Sequence, residues 1–289
     1  MRKALLAIYA IWGFNWVVMK EANQFFSPVF FVACRFALGA AVLLGVNLWL
    51  RLPLPPRRYW KWIFMTGILQ IAVNNAAMQT GMETLSAGLV AVLNYSMPIW
   101  VAVLAHFILG EHLTWRKVSG IAISMLGLFI LMHIDTLGNL PAILLTLGGA
   151  VAWAAANIIV KLQSRVMVQE QPKDGEGCSI VQYTTWQMVT GAVVLFLYLG
   201  LTGIGQTDWN WMAVGCLAYN GILASAAAFF LWNFVLSHME AGTASVAILV
   251  VPVVGVLCGV IFLQEALQLT TALGMLLILS GVVLIVRQG

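Results

Sequence analysis

The stretch GLVAVLNYSMPIWVAVLAHFILGE, residues 88–111, is apolar over roughly one membrane thickness and contains a single proline, Pro98. A second stretch, GTASVAILVVPVVGVLCGVIFLQE at residues 242–265, repeats its first glycine, its proline and its last glutamate at a constant offset of 154. The same offset relates four more pairs: Gly67 with Gly221, Leu113 with Leu267, Gly120 with Gly274, and Gly127 with Gly281. The chain is therefore predicted to consist of two related halves.

The repeat extends upstream of these stretches. Two pairs match at an offset of 141, Trp12 with Trp153 and Lys20 with Lys161. The polar segment Ser164–Cys178 accounts for the difference between the two offsets. We predict one repeat over residues 1–134 and a second over residues 135–289, each with five apolar segments. Because five is odd, the second copy enters the membrane from the opposite side, which is the inverted repeat typical of secondary transporters.

The composition assigns the chain to the lipid bilayer. Of its 289 residues 62% are hydrophobic and 8% are charged, against about 25% charged in soluble domains. This excludes a soluble globular protein, a disordered chain and a nucleic-acid binder. We predict an all-α polytopic membrane protein with ten transmembrane helices in two inverted five-helix repeats around a central cavity. The predicted spans are Ala4–Met19, Val29–Leu50, Trp60–Thr80, Leu89–Leu109, Val118–His133, Leu140–Val160, Ile180–Leu201, Met212–Leu236, Thr243–Leu263 and Thr271–Val286.

The basic residues predict the orientation of these spans. With both termini in the cytoplasm, Lys20 alone falls in an outer loop and Arg35 lies within a span. Cytoplasmic loops carry the excess of Lys and Arg in membrane proteins, so we predict a multi-pass protein of the inner membrane with cytoplasmic termini. The residues placed inside are Arg2, Lys3, Arg51, Arg57, Arg58, Lys61, Arg116, Lys117, Lys161, Arg165, Lys173 and Arg287.

Several short motifs in this order resemble the EamA-type transporters of the drug/metabolite transporter superfamily. They are Trp12-Gly13-Phe14-Asn15-Trp16 with Lys20, Arg35-Phe36, Gly88 leading to Pro98, and Gly110-Glu111-His112-Leu113. The triplet Trp186-Gln187-Met188 is similar to amino-acid exporters of that family. The resemblance covers the whole chain. It implies ten helices, a central cavity and the export of amino acids or other small metabolites.

Polar and aromatic side chains within the spans predict the wall of the cavity, because polar groups in the hydrocarbon region usually face the bundle interior. Such a neutral set suits a small polar or zwitterionic solute, with amides for its charged groups and rings for its apolar part. On the first span the face also includes Met19, and Asn75 adjoins Asn74 on the third. The predicted cavity residues are Trp12, Asn15, Trp16, Gln70, Asn74, Gln79, Asn94, Tyr95, Trp153, Asn157, Trp186, Gln187, Asn220 and Trp232.

Charged and helix-breaking residues give a second set of predictions. Arg35, Lys20 and Lys161 are candidate charge partners for the solute. For Arg35 the alternatives are a side chain that reaches outward to water, or a pair with a loop acid such as Glu21 or Glu83. Two prolines lie mid-span at equivalent positions and are candidate hinges, each freeing the carbonyl four residues earlier; they are Pro98 and Pro252.

Other functions have weaker support in the sequence. A membrane-embedded enzyme would need a nucleophile with a base, or a metal site, yet the chain has no His-Glu-x-x-His or Gly-x-Ser-x-Gly motif, and its Cys residues are scattered. No Asp or Glu lies mid-span, which disfavours a proton-coupled exporter of cationic drugs. A carrier of drugs, sugars or nucleotide-type metabolites stays open. We expect a small-molecule substrate, no cofactor, no metal, no nucleic acid, and a monomer or homodimer in the lipid bilayer.

Overall fold

The computed structural model describes residues 1–81, 83–85, 87–131, 139–169, 177–262 and 269–286, and most of these residues are helical. The predicted all-helical class is confirmed for this part of the chain. In chain order the α-helices are α1 (Arg2–Ala22), α2 (Pro28–Trp49), α3 (Trp60–Thr66), α4 (Asn74–Gly81), α5 (Ala87–Asn94), α6 (Met97–Leu104), α7 (Trp115–Leu131), α8 (Leu140–Gln169), α9 (Ile180–Thr202), α10 (Trp211–Ala218), α11 (Ala228–His238), α12 (Ala241–Ala247), α13 (Val250–Phe262) and α14 (Leu269–Val286).

Three segments of wider, π-helical turns continue these helices. The segments are Gly67–Val73 between α3 and α4, Ala105–Leu109 after α6, and Tyr219–Ala227 between α10 and α11. The first and third are equivalent in the sequence repeat, since Gly67 corresponds to Gly221 and Val73 to Ala227 at the offset of 154. π-Turns of this kind are rare and are found frequently at functional sites. The sequence carries no signal that predicts them.

Five helical segments in the described part of the chain are long and apolar enough to cross a membrane. They are Pro28–Trp49, Leu140–Val166, Ile180–Thr202, Trp211–His238 and Ala241–Phe262. Two shorter apolar segments are Met97–Leu109 and Leu269–Ile285. The count of ten spans in two inverted repeats stays a prediction.

The sequence predicts a loop over the polar segment Ser164–Cys178, and this prediction is wrong for its first residues. Helix α8 continues to Gln169, into the segment predicted to be a polar loop. Residues 161–169, KLQSRVMVQ, contain neither Gly nor Pro and are rich in helix-forming residues, so nothing ends the helix at the membrane surface. Gln163 and Ser164 are buried in this extension. Residues 170–176 of this segment, Lys173 among them, lie outside the described residues.

Helices α7 and α14 pack antiparallel through small residues. Gly120 meets the backbone of Gly281, and Gly127 meets the backbone of Gly274, so one helix ascends as the other descends. Between these two contacts, the Ser124 hydroxyl donates to the carbonyl of Ile278 at 3.2 Å. Small residues of the two helices therefore form a close contact within the chain.

The two predicted halves are interleaved rather than side by side. Helix α1 packs against α13, α2 against α9, and α4 against α8. At one end of the molecule Gln182 Nε2 donates to the Pro53 carbonyl at 2.7 Å. At the other end Ser27 Oγ donates to the Ile204 carbonyl at 2.5 Å. Each bond joins a loop of the first half to a helix end or loop of the second half that the sequence places on the same side of the membrane.

Candidate substrate cavity

A cavity of about 90 Å³ lies among α1, α2, α4, α5, α8, α11 and the two equivalent π-helical segments. It is small beside the ~300–1,000 Å³ of most ligand pockets, and it has room for several water molecules. Its walls combine amides and aromatic rings with one charged side chain. The lining residues are Trp12, Asn15, Trp16, Met19, Arg35, Gln70, Asn74, Asn75, Met78, Asn94, Tyr95, Trp153, Ala224 and Phe229.

More than half of the predicted cavity residues line this space. The structure brings together Trp12, Asn15, Trp16, Gln70, Asn74, Asn94, Tyr95 and Trp153. Met19 and Asn75 also line it, although the sequence only placed them beside predicted residues. Met78, Ala224 and Phe229 were missed. Met78 follows Asn74 by one helical turn, which is a usable signal, whereas Ala224 and Phe229 carry no polar signature.

The guanidinium of Arg35 is the deepest described charge and is held by amide oxygens. Its Nη2 donates to Asn75 Oδ1 at 2.6 Å and its Nη1 to Asn220 Oδ1 at 3.2 Å. Its Cζ also lies 4.8 Å from the centre of the Phe36 ring. The side chain is only 6% exposed, so it neither reaches outward to water nor pairs with Glu21, the loop acid nearest in the sequence. Of the alternatives weighed for Arg35, a position facing the cavity is the one that the structure supports.

Three buried amides form a chain that leads away from the cavity. Gln187 Nε2 donates to Gln70 Oε1 at 2.7 Å, and Asn233 Nδ2 donates to Gln187 Oε1 at 2.9 Å. The oxygen of Gln70 is thus occupied, whereas its Nε2 group has no partner. Gln187 therefore lies behind the wall and fixes the orientation of Gln70.

A cluster of aromatic rings forms another part of the wall. The ring of Trp12 lies 6.4 Å from Trp153, 6.1 Å from Trp232 and 5.5 Å from Phe229. Trp12 Nε1 donates to the Ala224 carbonyl at 2.9 Å, which is part of a π-helical segment. Edge-on rings of this kind hold one another rigidly and present apolar faces. The rings of Trp12 and Trp153, which are equivalent in the sequence repeat, therefore contact each other.

The other predicted cavity residues lie outside the lining. Asn157 Oδ1 accepts from Trp232 Nε1 at 3.1 Å, so both support the ring cluster. Asn220 supports Arg35 in the same way. Trp186 packs against Trp60, with 5.1 Å between ring centres. Gln79 is 1% exposed, and neither of its amide atoms has a partner.

The remaining predicted charge partners are not found in the cavity. Lys161 Nζ lies 3.5 Å from the Ser237 carbonyl at one end of the molecule. The side chain of Lys20 lies outside the described residues. Arg35 is therefore the only predicted charge partner that the described residues bring to the cavity.

Pro98 and Pro252 each follow a break between two helices. The break at Tyr95–Ser96 separates α5 from α6, and the break at Ile248–Leu249 separates α12 from α13. The prediction that Pro252 frees the Ile248 carbonyl is wrong, because this carbonyl accepts the Val251 N–H at 2.9 Å. At the break the backbone hydrogen bond therefore joins residues three positions apart, as in a 3-10 turn, instead of four. A hinge at either proline stays a prediction.

Several polar contacts close one end of the bundle. The Glu111 carboxylate accepts the N–H groups of Ala241 at 2.7 Å and Gly242 at 3.0 Å, at the start of α12. Beside it, Lys117 Nζ lies 2.7 Å from Glu240 Oε2. Glu265, the repeat equivalent of Glu111, lies outside the described residues. The lining residues lie in the middle of their helices and toward the opposite end, near Asn23–Ser27.

The described residues hold no group of three or more His, Cys, Asp or Glu side chains arranged for a metal ion. The polar groups of the cavity are amides, indoles, the Tyr95 phenol and one guanidinium. Such groups bind by hydrogen bonds and charge.

A sequence model of the EamA-like transporter family matches residues 3–133 and, a second time, residues 140–287. The chain belongs to this family. As an EamA-like protein it is a membrane transport protein, and the family and its members' names indicate a transporter rather than an enzyme. The resemblance stated from the motifs is confirmed.

Individual proteins of known sequence agree with this assignment. The Bacillus subtilis protein called uncharacterized transporter YoaV is 28% identical over 284 residues, which cover 96% of this chain and 94% of that one. Proteins named probable amino-acid metabolite efflux pump are 24% identical in Salmonella typhimurium and 25% identical in Escherichia coli; each match covers 96% of this chain and 91% of the relative. One crystal structure matches with a TM-score of 0.83 at 17% identity, over 99% of this chain and 96% of that one, which shows a shared fold.

Proposed function

We propose that this EamA-like protein is a secondary transporter that exports small metabolites, such as amino acids, across the inner membrane by alternating access. The observation that carries the proposal is the cavity, where amides, indole rings and Arg35 face one small space deep in an apolar bundle. Polar groups are costly there unless a solute or a partner uses them. The names of the Salmonella and Escherichia coli relatives agree with this substrate class.

The repeat supports alternating access. At the offset of 154 the contact of Gly120 with Gly281 exchanges with the contact of Gly127 with Gly274. The bond from Ser124 to Ile278 joins two equivalent positions. This is the pattern expected of a two-fold axis between α7 and α14. Related halves of this kind provide two similar conformations, one open to each side.

The polar contacts at one end of the bundle support a specific state. Glu111, Lys117 and Glu240 lie at the end predicted to face the cytoplasm. The cavity lining extends toward the opposite end. We therefore assign the structure to a state that is closed toward the cytoplasm, with both termini on that side. Release of the Glu111 contact would accompany opening to the inside.

The contact between α7 and α14 also bears on the oligomeric state. Faces of small residues on membrane helices can also form contacts between subunits. The small residues of α7 and α14 are occupied by each other within the chain, so we propose that the transporter works as a monomer.

A carrier of drugs, sugars or nucleotide-type metabolites is the second candidate. A cavity of about 90 Å³ has no room for a drug-sized molecule in this state. A cationic drug would also meet the charge of Arg35, and the cavity lining contains no acidic residue to offset it. A membrane-embedded enzyme is the remote third candidate.

The test is a counterflow screen with purified protein in liposomes. Vesicles are loaded with one unlabelled compound, and uptake of the same labelled compound is followed for amino acids, quaternary ammonium compounds and sugars. The proposal expects that at least one amino acid is exchanged by vesicles with the protein. Protein-free vesicles should show no such exchange. Exchange of quaternary ammonium compounds or sugars alone would favour the second candidate.

A further inference from the structure

Among the residues that the structure describes, no Asp or Glu side chain pairs with the positive charge of Arg35. Its contacts are the amide oxygens of Asn75 and Asn220, the Met19 sulfur and the Phe36 ring. The ion pair between Lys117 and Glu240 lies at the end of the bundle that is predicted to face the cytoplasm, outside the cavity lining. A buried charge is normally paired or removed, because leaving it in a low-dielectric region is costly. An uncompensated guanidinium in a cavity wall is therefore an unfilled site for an anion.

Four buried atoms of cavity-lining residues have no hydrogen-bond partner. Three are donors, namely Arg35 Nε, Gln70 Nε2 and Trp153 Nε1, and one is an acceptor, Asn15 Oδ1. Each of these side chains is at least nine-tenths buried. Unpaired buried polar groups are rare and call for a partner.

The balance of these groups describes that partner. A carboxylate accepts hydrogen bonds only, through two oxygens, and carries the charge that Arg35 lacks. A guanidinium presents a planar fork that matches a carboxylate. Asn15 Oδ1 requires a donor on the same small molecule. The set fits a carboxylate whose neighbouring carbon bears an ammonium or hydroxyl group.

We propose that Arg35 is the anion receptor of the transported solute and that the cavity selects small carboxylates of this type, α-amino acids first among them. Asn75 and Asn220 hold the guanidinium in place through Nη2 and Nη1, and Nε is left to the solute. Gln187 directs the free Nε2 of Gln70 by occupying its oxygen. The inference rests on the proposed transport function, since it assigns the ligand of that cavity.

The experiment compares amino acids with their own carboxamides, which differ only in the charged group. Thermal stabilisation of the purified protein in detergent gives an apparent affinity for each member of a panel of alanine, threonine, leucine and phenylalanine pairs. We expect at least one amino acid to bind about 10-fold or more tightly than its carboxamide. Arg35→Gln should weaken that binding about 30-fold or more, and Arg35→Lys should weaken it less because the charge remains.

Arg57→Gln serves as the control, since it removes an exposed arginine outside the cavity and should leave binding unchanged. If Arg35→Gln does not fold, the comparison of amino acids with carboxamides on the unmodified protein decides alone. Equal binding within every pair would overturn the proposal. So would stabilisation by chloride alone that depends on Arg35, because the anion would then be a bound ion rather than the solute.

The result separates this inference from the transport proposal. If carboxylates bind in a way that depends on Arg35 but no counterflow is seen, the assignment of Arg35 as anion receptor stands and the export function is refuted. If sugars or quaternary ammonium compounds show counterflow and Arg35→Gln leaves it unchanged, the protein is still a transporter, but the assignment of Arg35 as anion receptor is refuted.

Discussion

The close contact between α7 and α14 predicts that Gly127→Ala destabilises the protein. A methyl group at this position would lie 2.6 Å from the Gly274 carbonyl oxygen and 2.7 Å from both the Ile278 nitrogen and the Leu277 Cβ. Two of these atoms belong to the backbone and cannot rotate away. The helices must therefore separate, which also weakens the bond from Ser124 to Ile278.

The expected loss follows from these contacts. Overpacking by one methyl group costs about 1–3 kcal/mol, and an interhelical hydrogen bond in a membrane protein contributes about 0.6 kcal/mol. We expect Gly127→Ala to lose about 2 kcal/mol of unfolding free energy. Gly45→Ala is the matched control, because it adds the same methyl group to an exposed position of α2 with no atom within 4 Å. It should change stability by no more than about 0.5 kcal/mol.

The measurement is denaturant-induced unfolding of both variants and the unmodified protein, in the same detergent. Gly281→Ala is a second probe of the same contact, since its methyl group would lie 2.5 Å from the Gly120 carbonyl oxygen. If Gly127→Ala and Gly281→Ala were both as stable as Gly45→Ala, the tight packing of α7 on α14 would be refuted.

Three further predictions concern the ends and the wall of the cavity. Glu111→Gln keeps one hydrogen-bond acceptor for the start of α12 but loses the negative charge. We therefore expect the unfolding free energy to fall by about 1–2 kcal/mol, with the affinity for the solute unchanged. A variant as stable as the unmodified protein in the same unfolding assay would contradict this. The hydrogen bond from Lys117 lowers the pKa of Glu240, so this pair stabilises the fold above the ordinary carboxyl range and loses that effect as the pH falls through the lowered pKa. Because Glu240 is largely exposed, the pH-dependent difference from Glu240→Gln should be below about 1 kcal/mol by thermal unfolding, and a larger difference near neutral pH would refute the assignment. Asn15→Leu removes the unpaired acceptor and should weaken amino-acid binding about 10- to 100-fold, without lowering the yield of folded protein; unchanged affinity would mean that Asn15 does not contact the solute.

The sequence predicted the helical class and much of the cavity wall, because both follow from local patterns. An apolar run long enough to span lipid must form its hydrogen bonds internally, and a polar residue in such a run must turn inward. Asn15 and Asn74 were found by this reasoning, as were Trp12 and Trp153. The repeat helped because it related positions that are far apart in the chain.

Features that depend on contacts with other helices could not be predicted from the sequence. Whether an amide lines the cavity or supports a lining residue depends on the rotation of its helix. For this reason Gln187 and Asn157 were predicted to line the cavity, whereas the structure places them behind the lining residues. Phe229 lines the cavity through packing alone. The π-turns depend on bonds five residues apart and have no composition of their own.

The buried contacts of the first half reach far along the chain. Arg35 bonds to Asn220, Asn47 to Thr185, and Glu111 to Ala241, and each of these partners is synthesised later, in the second half. During synthesis the helices of the first half therefore enter the membrane with a charge and several amides that have no final partners yet. Assembly of the two halves is in this sense part of biogenesis, because a chain that stops after the first half would lack the Asn220 bond of Arg35 and the Thr185 bond of Asn47.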